Sequence, residues 1–179
     1  MRTIITPPAL PPAALAELKL WLGITTTRDD TPLSALLRAG LESCEAFTGI
    51  LPLETECEEV LPARTGWQRL ATRPVQAITG LWSVPAEGAR AALATDAYAI
   101  DLDADGVGRI RTSSGTTRIA VRFTAGLAPD WDALPESLRH GVLRIAAHQH
   151  RTRESEGAGP VPPPAVIALW RPWRRMRLT

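Results

Sequence analysis

A chain of 179 residues with 45% hydrophobic and 22% charged residues can bury the core of one or two small domains. Its net charge of +1 gives no global field for a polyanion, its two cysteines make neither a disulfide framework nor a zinc site, and no stretch approaches the roughly 20 apolar residues of a membrane span. The first residues lack the apolar run of a signal peptide, so a protein made in the cytoplasm is expected.

Pro7, Pro8, Pro11 and Pro12 predict an extended, stiff start. Residues 13–22 read as a short helix with Leu15, Leu18 and Leu22 on one side and Gly23 at its C-terminal cap. The second helix has Thr31 as its expected N-cap and Pro32 as its first helical residue. Leu33, Leu36, Leu37, Gly40, Leu41, Cys44 and Phe47 then recur at helical spacing, and Gly49 ends the run. Cys44 falls on that stripe and reads as a small core residue.

From residue 53 to 126 the pattern becomes that of strands. Residues 75–84 are rich in β-branched and apolar side chains, and Ile119, Val121 and Phe123 alternate with Arg118, Ala120 and Arg122. Turns at Glu87-Gly88, Asp105-Gly106 and Ser114-Gly115 predict a small antiparallel sheet or barrel. Helix returns at Pro135, with Leu138, Val142, Ile145 and Gln149 at helical spacing. Pro160, Pro162, Pro163 and Pro164 stiffen a break, and residues 165–178 predict a last helix bent at Pro172.

The expected architecture is α+β. Helical parts at 1–52 and 128–155 pack as a small bundle, the β insertion spans 53–127, and 156–179 form a linker and an extended C-terminal arm.

Two motifs suggest chemistry that the surrounding residues do not support. Asp101, Asp103, Asp105 and Gly106 look like the start of a calcium loop, but position 12 is Thr112 where a bidentate Glu is needed. The flanks read as strands, so an acidic turn is expected. Of His140, His148 and His150, the last two fall on different helix faces, and no Asp, Glu or Cys joins the three at ligand spacing. His148 is placed on the buried side. No nucleophile elbow, phosphate loop or Cys–His pairing appears, so no catalytic residue, metal or cofactor is expected.

Charge is unevenly spread. Glu54, Glu56, Glu58 and Glu59 crowd one segment. Glu54, Glu56 and Glu58 would share a strand face, most simply a solvated one. A sharper reading sets that face near passing DNA, which it repels. The C-terminal Trp170, Arg171, Trp173, Arg174, Arg175 and Arg177 have three readings. They are a protein-docking segment, a nucleic-acid-binding tail that stacks indoles on bases, or a terminal helix that packs its own tryptophans on the core.

Taken together, these segments resemble the head–tail connector, or adaptor, proteins of long-tailed bacteriophages and phage-like gene transfer agents. The resemblance rests on residues 15–24, Arg28-Asp29-Asp30, the helix ending at Gly49, Arg73-Pro74-Val75 with Ile78, Tyr98 to Asp101, residues 121–126, Leu134-Pro135, Arg153-Glu154 and the stretch 167–178. His150 departs from it, since the family often has an aromatic there, and the linker at 156–164 is extended. The resemblance implies a structural role without catalysis, at the head–tail junction of a virion or phage-like particle made in the bacterial cytoplasm. It implies a ring, typically of twelve copies, under the portal protein, which extends the DNA channel and meets a stopper or other tail-side protein. DNA passes without sequence-specific binding, and no membrane is involved. Ile167, Leu169, Trp170, Arg171, Trp173, Arg174, Arg175 and Arg177 are then the expected portal-docking residues. Glu54, Glu56, Glu58 and Glu59, with Arg109, Arg111, Arg118 and Arg122, are the expected inter-subunit or channel-facing residues. The alternative is a nucleic-acid-binding accessory protein that uses the basic tail.

Overall fold

A computed structural model describes residues 2–113, 115–152 and 162–174. The fold is α+β, and the chain divides into two compact units. One holds residues 1–8 and 53–127 and over its described part is built of strands with one 3-10 turn at Thr95–Ala97; the other holds 9–52 and 128–179 and is helical over its described part.

In the helical unit, α1 (Pro12–Leu22) begins on a proline whose missing N–H would have no helical partner. It ends at Gly23, whose φ of 71° lies in the left-handed region. There the N–H groups of Gly23 and Ile24 bond back to Leu20 and Lys19. The next helix, α2 (Asp30–Thr48), starts before the expected cap. Asp29 stands at the N-cap position, and its carbonyl accepts from the Leu33 N–H at 2.9 Å. Thr31 is thus inside the helix rather than its cap. Pro32 falls at the third helical position, where an N–H has no intrahelical partner either, so the proline is tolerated. Lys19 ties the two helices by a 2.7 Å ion pair to Asp30.

Helix α3 (Glu136–Thr152) packs on α2, with Gly40 set close against the Val142 side chain. Most of the stripe expected from spacing is buried: Leu33, Leu37, Gly40, Leu41 and Cys44 lie in the core with Leu138, Val142 and Ile145 of α3, while Leu36 and Phe47 are half-buried. Burial pushes the Cys44 thiol up to about 12, an inert core group. Trp131 is fully buried and donates from Nε1 to Glu17 at 3.0 Å. His148, expected on the buried side of α3, is exposed. Ile145, Ala146 and Ala147, the three residues before it, take the core-facing positions instead.

The β unit is an open sheet pair and not a closed barrel. Strands β1 (Arg2–Thr6), β2 (Thr55–Pro62), β3 (Gln68–Arg69), β4 (Val75–Ser83), β5 (Ala91–Ala92), β6 (Tyr98–Leu102), β7 (Gly108–Thr112) and β8 (Arg118–Ala125) form two antiparallel sheets. The five-stranded sheet runs β1-β2-β8-β4-β5, and the three-stranded one β3-β7-β6. The extended start expected from the prolines is in part a strand, since β1 pairs with β2. On one face of the larger sheet, Cys57, Phe123, Val121, Ile119 and Leu81 are buried. Ala120 points to the other face yet is also buried, because it lies across from both Val60 and Trp82.

Candidate partner-binding surfaces

The C-terminal segment is the first candidate. After Pro162, helix α4 (Pro164–Trp170) starts on a proline and continues into a 3-10 turn at Arg171–Trp173. It packs on α3, so the described part of this segment is not an extended arm. Trp170, expected to anchor a partner, is fully buried in its own unit. Its indole occupies a notch opened by Gly141 of α3, where a Cβ would overlap the ring. The ring lies 6.1 Å from Phe47, and Nε1 donates to the Leu138 carbonyl at 3.4 Å. Trp173 is half-buried, and its Nε1 donates to Ser137 Oγ at 2.8 Å.

The reading in which a terminal helix packs its own tryptophans is therefore the one the geometry supports. Burying an indole with its N–H satisfied stabilises the bundle, and neither ring is free to stack on a base. What this segment presents outward is the exposed Arg171 and Arg174, at and beyond the 3-10 turn, with Ile167 and Leu169 of α4 half-buried. Arg174 lies 5.5 Å over the Phe47 ring. Arg175 and Arg177 lie outside the described residues.

The charged strands are the second candidate, and they do not form one solvated face. Glu54 is exposed and Glu56 half-buried, but Glu58 and Glu59 are buried. Glu59 accepts from the backbone N–H groups of Ala71 and Thr72 at 2.9 and 2.8 Å and from the Thr72 hydroxyl at 2.6 Å. It pins the loop after β3. Glu58 accepts from Arg122 Nε at 3.2 Å and from Arg90 Nη1 at 2.6 Å. Burial alone pushes its carboxyl up, but the two guanidinium groups offset that and hold it below its ordinary value.

Glu58 and Arg122, expected to complement each other across subunits, thus meet inside one chain. Arg122 also lies 4.7 Å over the Trp82 ring, which itself covers Gly80. Arg109 is likewise engaged, bonding Asp101 at 2.8 Å and Asp103 at 2.9 Å. The remaining cations expected at an interface are exposed. Arg118 is one, and Arg111 lies 5.1 Å over the exposed Trp67.

The acidic motif at 101–106 is a turn. Asp103 Oδ1 accepts the N–H groups of Val107 and Asp105, and Arg109 takes Oδ2. The Val107 N–H foremost, and with it the Asp105 N–H and Arg109, holds that carboxyl below its ordinary range. Its oxygens are thus engaged by the chain itself, which is what a β-turn needs and a calcium loop cannot spare. Among the described residues no group of three or more His, Cys, Asp or Glu could hold a metal, and no helix is long and apolar enough to cross a membrane.

Sequence reasoning missed a groove in the helical unit, bounded by Trp21, Arg144, His148 and Arg151. Its signal was present: Arg144, His148 and Arg151 recur at i, i+4 and i+7 on α3.

No protein-family model matches the chain, and no curated protein does. Solved structures do match. The neck of an empty gene transfer agent particle, computed with C6 symmetry, contains a chain 28% identical, with a TM-score of 0.79, over 100% of this chain and 97% of that one. The virion of a native gene transfer agent particle contains one that is 27% identical at a TM-score of 0.77, with the same coverage. The neck of a native particle, computed with C12 symmetry, gives 29% and 0.75, again with the same coverage. Likeness at this identity runs over the whole chain, through the residues of both the helical and the β unit, and it marks the chain as similar to a structural component of the neck, at the head–tail junction, of phage-like gene transfer agent particles.

Proposed function

We propose that the chain is an adaptor that assembles as a ring, of twelve copies, beneath the portal protein, extends the DNA channel and offers its far side to a stopper or other tail-side protein. The observation that carries this reading is the full-length likeness to chains of gene transfer agent necks. Its task is mechanical, and no step of chemistry is assigned to it.

A ring needs two different complementary surfaces on each subunit, because its contacts are head-to-tail. The exposed Glu54 and the half-buried Glu56 on one side, and the exposed Arg111 and Arg118 on the other, remain available for that contact. Portal docking falls to the outward side of α4 and the turn after it, through Arg171, Arg174 and the part-exposed Ile167 and Leu169, since Trp170 is held in the bundle. Arg175 and Arg177 extend the same basic run in sequence. Guanidinium groups suit acidic portal groups through paired hydrogen bonds.

The test is electron microscopy of the full chain mixed with the portal protein encoded nearby, beside an Arg171→Glu/Arg174→Glu variant. Rings capping the portal with the unchanged chain, and a reduction of about tenfold or more in capped portals with the variant, are expected. Absence of any association by the unchanged, folded chain would overturn the adaptor reading.

A further inference from the structure

Helices α1, α3 and α4 border a groove of about 280 Å³ within the helical unit. Its floor is aliphatic, with Ala147 and Val166 buried at its base. Its rim is cationic. Arg144 and Arg151 stand on one face of α3, two turns or about 10 Å apart, with the exposed His148 between them. Trp21 forms the opposite wall and is 42% exposed; beside it Leu20 is 84% exposed.

Arg144 is held in place. Its Nε donates to His140 Nε2 at 3.3 Å, and its guanidinium lies 5.8 Å from the Trp21 ring centroid. Among the described residues no carboxylate lines the groove, and neither Arg144 nor Arg151 has one as a partner. Arg139 on the same helix differs, with Glu17 and Glu136 beside it. Among the described residues the groove thus has an apolar floor and a cationic rim with no carboxylate beside it, the composition of an interaction site.

We infer that this groove receives an acidic segment of a neighbouring neck protein. One carboxylate meets Arg144, a second meets Arg151, and an aliphatic or aromatic side chain between them seats on Ala147 and Val166. Acidic residues two helical turns apart match the spacing of the two guanidinium groups. The inference rests on the adaptor reading and adds to it a site on α3 and the chemistry of the partner.

Charge complementarity selects a protein over the other occupants. A DNA strand would lay phosphates over an aliphatic floor, and two arginines neutralise too few of them for firm binding at physiological salt. The chain's own stretch 153–161 carries Glu154 and Glu156, but its largest apolar side chain is Val161, small for this floor beside a tryptophan.

The test uses the full chain in particles assembled with the complete set of head and neck proteins. The photo-cross-linking residue benzoylphenylalanine replaces Ala165, which is exposed at the mouth of the groove. Mass spectrometry of the cross-linked peptides reads the occupant. The expected product joins position 165 to a segment of another neck protein that carries Asp or Glu on both sides of a large apolar residue. An added Arg151→Glu should lower its yield about tenfold, and Arg151→Lys should restore most of it. Arg151 is exposed and outside the core, so folding is not at stake. Cross-links to DNA or to residues 153–161 would overturn the inference, as would an undiminished yield with Arg151→Glu. Particles that contain the chain but give no cross-link would overturn it while leaving the adaptor reading standing. Particles that exclude the unsubstituted chain would overturn both.

Discussion

Glu58 shows how one residue's sequence context misleads about its charge. It sits in an acidic run, but in the sheet it is flanked by Arg122 on the neighbouring strand and by Arg90 from the loop after β4. Its carboxyl is held below the ordinary range, so its pairing stabilises the fold fully above the unfolded pKa of about 4.3 and is lost as pH falls through the lowered folded value. Glu58→Gln should therefore destabilise the protein most at neutral pH. Urea unfolding of both forms at pH 7 and pH 3 checks this. The gap between them should narrow at the acid end, and an equal gap at both would show that the pairing is not what Gln removes. Glu59, one residue on, acts differently. Its three hydrogen bonds hold the backbone at Ala71 and Thr72, which makes it a structural group despite its charge.

At the scale of elements, the contact between α3 and α4 is the most specific. Helix α4 has seven residues, too few to be stable alone, so its helicity depends on the burial of Val166 and Trp170. Gly141 makes room for the indole on α3. In a helix interior, Gly→Ala ordinarily stabilises by about 1 kcal/mol. At position 141 the sign should reverse, because the added methyl overlaps a fully buried, rigid ring. A net loss of about 1–3 kcal/mol in chemical denaturation is expected. A stabilised Gly141→Ala would mean that Trp170 leaves its seat easily, and the docking role of its indole would have to be reconsidered.

At the scale of the whole molecule, the chain leaves the helical unit at Pro52 and re-enters it at Ala128. The two points are joined by a 3.1 Å hydrogen bond from the Ala128 N–H to the Pro52 carbonyl. An insertion with adjacent ends can be removed with little strain on the host unit. Residues 9–52 joined by a short Gly/Ser linker to 128–179 should therefore remain helical and cooperative by circular dichroism and thermal unfolding. A molten or unfolded product would show that the helical unit requires the β unit for its stability.

Periodicity and glycine placement in the sequence determined the helices, the β insertion and the order in which they occur. The stripe from Leu33 to Cys44, the alternation from Arg118 to Phe123 and the caps at Gly23 and Gly49 are local signals that the folded chain obeys. The order of weak motifs along the chain also carried the resemblance to head–tail connectors. Tertiary structure alone decided which charges and indoles remain available. Trp170 reads as an anchor for a partner until Gly141 is seen to face it from more than twenty residues away in sequence. Glu58 and Arg122 read as complementary surfaces until strand pairing brings them together. Pairing and burial depend on neighbours distant in sequence, and a side chain's composition does not reveal whether one of those neighbours already satisfies it.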